Sequence, residues 1–174
     1  MDNAFLESDV REQWLRRLMA DHGTAVLRVC YAYMKDAQLA EDAAQDTFVK
    51  AFHHYDSFQP RGEGSDKAWL MRIAVNVCKD TLRSAWFRHV DRRVELDTAL
   101  LKASEDMSLD QRNLMETILN LPPRYRMVIV LHYYQNLSVE EVAQALGISP
   151  SAVYYRLDKA RGKLRGLLEG EQNG

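Results

Sequence analysis

Apolar residues recur along this chain at intervals of three and four, the period of an amphipathic helix, and show no two-residue alternation of strand type. Only four prolines and eight glycines interrupt 174 residues, so the pattern predicts an all-α protein. A first helical stretch, from about Asp9 to Met34, carries Trp14, Leu15, Leu18, Val26, Leu27, Cys30 and Met34, with Gly23 as a candidate break. A second, from about Ala37 to Tyr55, has Leu39, Ala43, Phe48, Ala51, Phe52 and Tyr55 as its stripe. Asp56 to Asp66 reads as a loop, because Pro60, Gly62 and Gly64 all disfavour helix. A third helix is expected from about Lys67 to Trp86.

From residue 87 to about 107 the periodicity lapses and ends in an acidic, polar stretch, which predicts a flexible linker. Beyond it the punctuation is sharp. Ser108 with Gln111 forms a capping box for a helix reaching Asn120, and Pro122 and Pro123 open the next, since proline is accepted in a first turn. Ser138 with Glu141 forms a second capping box, Gly147 supplies a stop, and Ser149 and Pro150 cap and open the last helix. The organisation expected is two small helical domains, residues 1–88 and 108–174, joined by an acidic linker over 89–107.

Total charge conceals local charge. The chain carries 23 Lys and Arg against 25 Asp and Glu, a net −2, which excludes binding to a polyanion by bulk charge alone. By segment the picture differs: residues 61–93 hold 8 basic and 4 acidic residues, and 150–174 hold 5 and 3, while 94–118 hold 2 and 6. Two basic islands therefore flank an acidic bridge. Purely apolar runs such as Met127 to Leu131 are far too short to span a bilayer, so no membrane insertion is expected. Residues 1–21 are charged throughout and carry no apolar stretch of signal-peptide length, which predicts a cytoplasmic protein. Cys30 and Cys78 lie 48 positions apart without CxxC spacing, and are expected as small buried apolar residues.

Leu137 to Leu164 has the layout of a helix-turn-helix: a short capped helix, Gly147 and Ile148 at the turn, then a longer helix from Pro150. At about 100° per residue, Val153, Leu157, Ala160 and Leu164 fall within an arc of roughly 60° and form one buried stripe. Opposite lie Ser151, Tyr155 and Asp158, flanked by Arg156, Lys159 and Lys163 on one side and Tyr154, Arg161 and Arg165 on the other. Such a mixture can donate to phosphates and reach base edges in a major groove. On the third helix, Arg72, Asn76, Lys79 and Arg83 form a cationic stripe bordered by Trp69 and Asp80. With Phe58 in the preceding loop, that stripe suits unstacked single-stranded bases, which can lie on aromatic faces. Glu41, Asp42, Gln45 and Asp46, followed by Phe48, would complement the dipole of the second helix or form an acidic docking face.

Enzymatic signatures are missing: the chain has no GxxxxGK[ST], HExxH, GxSxG or GxGxxG, so no catalytic residue and no cofactor is expected. His53 and His54 are adjacent, which sends their rings to diverging sides of a helix, and no metal site is expected there. A stand-alone helix-turn-helix regulator of duplex operators would use only the C-terminal of the two basic islands.

Three segments carry a resemblance. AEDAAQDTFVKAFHHYDSF, then WLMRIAVNVCKDTLR, then LPPRYRMVIVLHYYQNLSVEEVAQALGISPSAVYYRLDKARGKLR resemble, in order and spacing, the signature segments of the bacterial extracytoplasmic-function sigma factors. The likeness spans about Asp21 to Leu168. It implies that Glu41, Asp42, Gln45, Asp46 and Phe48 lie on a surface docking on the clamp helices of the β′ subunit of core RNA polymerase, whose β flap takes the C-terminal domain. It implies that Phe58, Trp69, Arg72, Asn76, Lys79, Asp80 and Arg83 melt and read the minus-ten element, with a flipped base held at the loop through Phe58. Ser151, Tyr155, Arg156, Asp158, Lys159 and Arg161 would face the minus-thirty-five element. The acidic linker would thread toward the RNA exit path. Where the family usually has threonine before the valine and a basic residue after it, this chain has Ala152 and Tyr154, which bears on promoter sequence rather than role. The resemblance also implies control by an anti-sigma partner, free or membrane-anchored.

Overall fold

A computed structural model of the chain describes residues 2–60, 62, 64–87 and 108–172; the expected acidic linker lies outside the described residues. Among the described residues every regular element is helical. In chain order they are α1 (Asp2–Met34), α2 (Ala37–His53), a 3-10 turn (Tyr55–Ser57), α3 (Ser65–Phe87), α4 (Leu109–Leu119), α5 (Pro123–Ile129), a π turn (Val130–Tyr134), α6 (Val139–Leu146) and α7 (Pro150–Gln172). Helices α1, α2 and α3 pack on one another, α5, α6 and α7 form a second group, and α6 also lies against α3. The buried residues of both groups form one continuous core, from Leu18, Val26 and Ala40 through Leu70 and Val75 to Val128, Leu131, Val142 and Leu157.

Helix ends follow their chemistry. Asp36 caps α2 by accepting from the Leu39 amide at 3.0 Å. Both predicted capping boxes are closed reciprocally: Ser108 with Gln111, and Ser138 with Glu141. Gly147 ends α6 at φ 68°, ψ 37°, in the left-handed region where glycine carries no Cβ penalty. The Ser149 hydroxyl accepts from the Ala152 amide at 3.1 Å and starts α7.

The structure departs from the expected boundaries at three places. Helix α1 begins at Asp2 and runs through Gly23 without a break. Glycine costs about 1 kcal/mol in a helix interior, but the segments on both sides of Gly23 bury Leu18 and Val26 in the same core and so hold one axis. The second helix gives way to the 3-10 turn at Tyr55, and α3 starts two residues earlier than expected, at Ser65. Val130 to Tyr134 form a π turn that periodicity did not foresee. Cys30 and Cys78 are free and buried, and the hydrogen bond that holds the Cys78 S–H proton against Cys30, together with burial, pushes the Cys78 thiol far above its usual value. Such thiols are inert packing groups.

Arg126 joins the two groups of helices. It is only 3% exposed, yet its hydrogen-bond partners among the described residues are backbone carbonyls rather than a carboxylate. Its Nη1 donates to the carbonyls of Leu119 at 3.0 Å and Leu121 at 3.2 Å, and its Nη2 to the Tyr33 carbonyl at 3.4 Å. These acceptors lie at or just beyond the C-terminal ends of α4 and α1, where backbone carbonyls lack helical partners and the helix dipole is negative. The Nε is left without a partner among the described residues.

Two stability measurements follow from this packing. A Cβ added at Gly23 would meet nothing within 4 Å, so Gly23→Ala should raise stability by about 0.5–1 kcal/mol in urea unfolding. Arg126→Met removes a costly buried charge but orphans three carbonyls; the second effect dominates, and a loss of about 1–3 kcal/mol is expected in the same assay.

Candidate nucleic-acid interface

On α2 the residues expected to dock on a protein partner divide in two. Glu41, Asp42, Gln45 and Asp46 are exposed along one face, and Gln38 steadies it by donating to Asp42 at 3.2 Å. Phe48 is not on that face. It is 6% exposed and packed in the core, so it supports the helix from beneath and cannot meet a partner directly. Helical periodicity carries the reason: Phe48 shares the inner stripe with Ala40, Ala44 and Ala51. Val49, exposed at 54%, takes the outer position next to the carboxylates, four residues on from Gln45; the three- and four-residue spacing of the acidic positions was the signal for it.

The loop and the start of α3 are organised by rings. Phe58 lies 4.8 Å from Trp69, Trp14 lies 6.0 Å from Trp69 and 6.1 Å from Phe58, and Tyr55 meets Trp14 edge-on at 4.9 Å. Trp14 therefore belongs to this cluster, although in sequence it reads only as one apolar position of α1. Arg11 stacks on Tyr55, with its guanidinium 5.1 Å from the ring, and pairs with Asp56. A cavity of about 340 Å³ opens beside the cluster, lined by Trp14, Arg17, Asp21, Phe58, Pro60 and Asp66. Its wall is pinned by His22, whose Nε2 lies 3.0 Å from an Asp66 oxygen.

The cationic stripe of α3 is only partly free. Arg72, Asn76 and Arg83 are exposed side by side. Lys79 departs from that arrangement: its Nζ donates to the Leu146 carbonyl at 2.9 Å, at the C-terminal end of α6. Asp80 sits between Lys50 at 3.9 Å and Arg83 at 4.0 Å and offsets part of the stripe's charge. Between the helices, a second cavity of about 600 Å³ has Phe58, Trp69 and Arg72 on one wall and Glu141 and Gln144 on the other.

The exposed face of α7 presents Ser151, Tyr155, Asp158, Lys159 and Arg161, with Arg156 half-buried at its edge. Lys159 rests its ammonium 5.6 Å from the Tyr155 ring. Tyr154 is also exposed and extends the face beyond the positions expected to read DNA. Opposite them, Val153, Leu157 and Ala160 are fully buried, as the stripe predicts. A short capped helix, a left-handed glycine turn and a longer exposed helix together have the geometry of a helix-turn-helix.

With this geometry in view, comparison with known proteins is informative. Residues 18–88 match the model of sigma-70 region 2, and residues 111–164 match that of sigma-70 region 4. The RNA polymerase sigma factor NccH of Alcaligenes xylosoxydans xylosoxydans is 30% identical, over 90% of this chain and 87% of its own. The ECF RNA polymerase sigma factor SigW of Bacillus subtilis is 31% identical, over 80% of this chain and 81% of its own. Among solved structures, CnrH in complex with the cytosolic domain of CnrY is 32% identical with a TM-score of 0.65, covering 91% of this chain and 90% of that one. RpoE of Bartonella quintana, solved with the anti-sigma factor NepR, shares the fold at 22% identity and a TM-score of 0.67. The chain belongs to the sigma-70 family. Within it, it is a sigma factor of the extracytoplasmic-function group, an alternative sigma factor acting in transcription initiation. A stand-alone duplex-operator regulator is not favoured, because the match includes region 2 as well as the helix-turn-helix.

Asp66 gives the loop anchor a pH signature. Burial works to raise its pKa, but the hydrogen bonds from His22 and the Lys67 amide outweigh that and hold it below the ordinary carboxylate value. A folded value below the unfolded one means that the contact stabilises fully above about pH 4 and is lost as pH falls through the lowered value. Asp66→Asn should therefore reduce the urea midpoint at neutral pH and flatten its fall on the acid side.

Proposed function

We propose that residues 1–88 bind core RNA polymerase and open the minus-ten element, that 89–107 link the two domains, and that 108–174 read the minus-thirty-five element. The acidic face of Glu41, Asp42, Gln45 and Asp46 docks on the polymerase clamp helices, with Val49 as its apolar contact. The chain itself performs no bond-making: it supplies recognition and strand opening in the cytoplasm, and polymerase makes the phosphodiester bonds. No described helix is long and apolar enough to cross a membrane.

The observation that carries this reading is the pairing of the Phe58–Trp69–Trp14 cluster and its cavity with the exposed Arg72, Asn76 and Arg83. Aromatic faces hold unstacked bases while cations follow the backbone, a combination suited to a melted strand rather than an intact duplex. The cavity beside the rings has room for one extruded base. On α7, Ser151, Tyr155, Arg156, Asp158 and Lys159 mix donors, an acceptor and an apolar ring, as direct reading of a major groove requires. The relatives solved with CnrY and with an anti-sigma factor support a partner of that kind for this chain too.

Run-off transcription on fragmented genomic DNA with core RNA polymerase tests the whole assignment. Addition of the chain should create new starts that share two short upstream elements at fixed spacing; no new starts would refute it. Arg72→Ala combined with Arg83→Ala should then weaken open-complex formation while leaving polymerase affinity unchanged. Equal loss of both would remove α3 from the minus-ten role.

A further inference from the structure

Outside the helix-turn-helix, one residue is tied to its exposed face. The π turn that follows α5 ends with Tyr133 and Tyr134, and Tyr133 lies against α7. Its hydroxyl accepts a hydrogen bond from Arg161 Nε at 2.8 Å, and the guanidinium carbon stands 5.6 Å from the centre of its ring. The ring is braced on its other side by His132, edge-on at 4.9 Å, and His132 is itself fixed by Nδ1 lying 2.8 Å from the Leu137 carbonyl. Arg161 Nη1 meets Asp158 at 3.1 Å. All three side chains remain open to solvent, with Tyr133 at 48%, Arg161 at 45% and Asp158 at 79%.

A surface arginine is normally mobile, and ordering it costs rotamer entropy on binding. Here the side chain is already ordered, because Nε is held by the tyrosine hydroxyl and the guanidinium stands beside its ring. The opposite, end-on edge of the guanidinium keeps its donors, and among the described residues Asp158 competes for them. An exposed ion pair of this sort contributes little and yields readily to a better anion. The Tyr133 hydroxyl uses its oxygen to accept from Arg161 and so keeps its own O–H proton to donate. Two donors thus converge beside the recognition helix.

Position selects the ligand. Arg161 lies three turns into α7, about 16 Å along the axis from Pro150, whereas base edges are met by the N-terminal residues of a recognition helix. We propose that Tyr133 is a positioning residue that pre-orients Arg161, and that the two together clamp one backbone phosphate at the flank of the minus-thirty-five contact. The inference rests on the assignment of α7 to DNA. On binding, Nε stays on Tyr133 while the end-on edge exchanges Asp158 for the phosphate.

The test uses the full chain with Tyr133→Phe, Arg161→Met and the double variant. Each is measured against a random duplex at low salt, and as holoenzyme against a promoter duplex found by run-off mapping. Tyr133→Phe keeps the ring and its packing but loses the hydroxyl, so affinity should fall roughly three- to tenfold by the same factor on both duplexes, with the melting temperature unchanged. Arg161→Met should lower the salt slope by about 0.9, one phosphate's worth. The double variant should bind no more weakly than Arg161→Met alone. Additive losses, an unchanged Tyr133→Phe affinity, or no binding of wild type to either duplex would overturn the clamp. The sigma assignment fails on a separate reading: coupled loss on the random duplex with no transcript starts would keep the clamp and discard the promoter role.

Discussion

The guanidinium of Arg126 is the interaction on which the arrangement of this chain depends. Buried charge without a carboxylate is costly, and here three backbone carbonyls at the ends of two helices offset that cost. Because the carbonyls of Leu119 and Leu121 belong to one group of helices and that of Tyr33 to the other, a single side chain satisfies polar ends on both sides of the junction. Lys35, just past the end of α1 at φ 55°, is the counterweight: burial and the neighbouring Arg126 charge both lower its pKa. Attraction between guanidinium and helix ends thus coexists with repulsion between two cations. The junction is held, but not tightly.

From that junction the functional surfaces take their positions. Seating α5 against α1 brings α6 alongside α3, which is why a helix of the C-terminal group reaches Lys79. The outer face of α7 is open to solvent. The two surfaces proposed to meet DNA are therefore not equivalent: among the described residues the α3 stripe has Lys79 held by the C-terminal group, whereas on α7 Arg161 is held by Tyr133 and Asp158.

Much of this was legible in the sequence because the relevant signals are local. Two capping boxes, a stop at Gly147 and a three-residue apolar period define α4, α6 and α7 from their own residues, and the structure follows them. Long-range packing was not legible. Gly23 reads as a break until α2 and α3 are seen to hold both halves of α1 in line. Phe48 sits next to a run of carboxylates in the chain, yet a helical step of about 100° carries it to the opposite face. Lys79 belongs to the stripe by angle but is taken by a carbonyl 67 residues away. Tyr133 gave no signal at all, since its contact with Arg161 arises from a π turn, which shifts register without any change of composition.

The bond from Lys79 to the Leu146 carbonyl has a thermodynamic consequence. A strand that draws Lys79 onto its backbone competes with α6 for the same ammonium, so its apparent affinity is reduced by the fraction of molecules in which that bond is made. If α3 takes a strand as proposed, closure of the helices and its occupancy are linked, and linkage runs in both directions. Whatever draws α6 away frees Lys79, and whatever holds α6 in place keeps that one ammonium on its carbonyl while leaving Arg72, Asn76 and Arg83 in full view of the solvent.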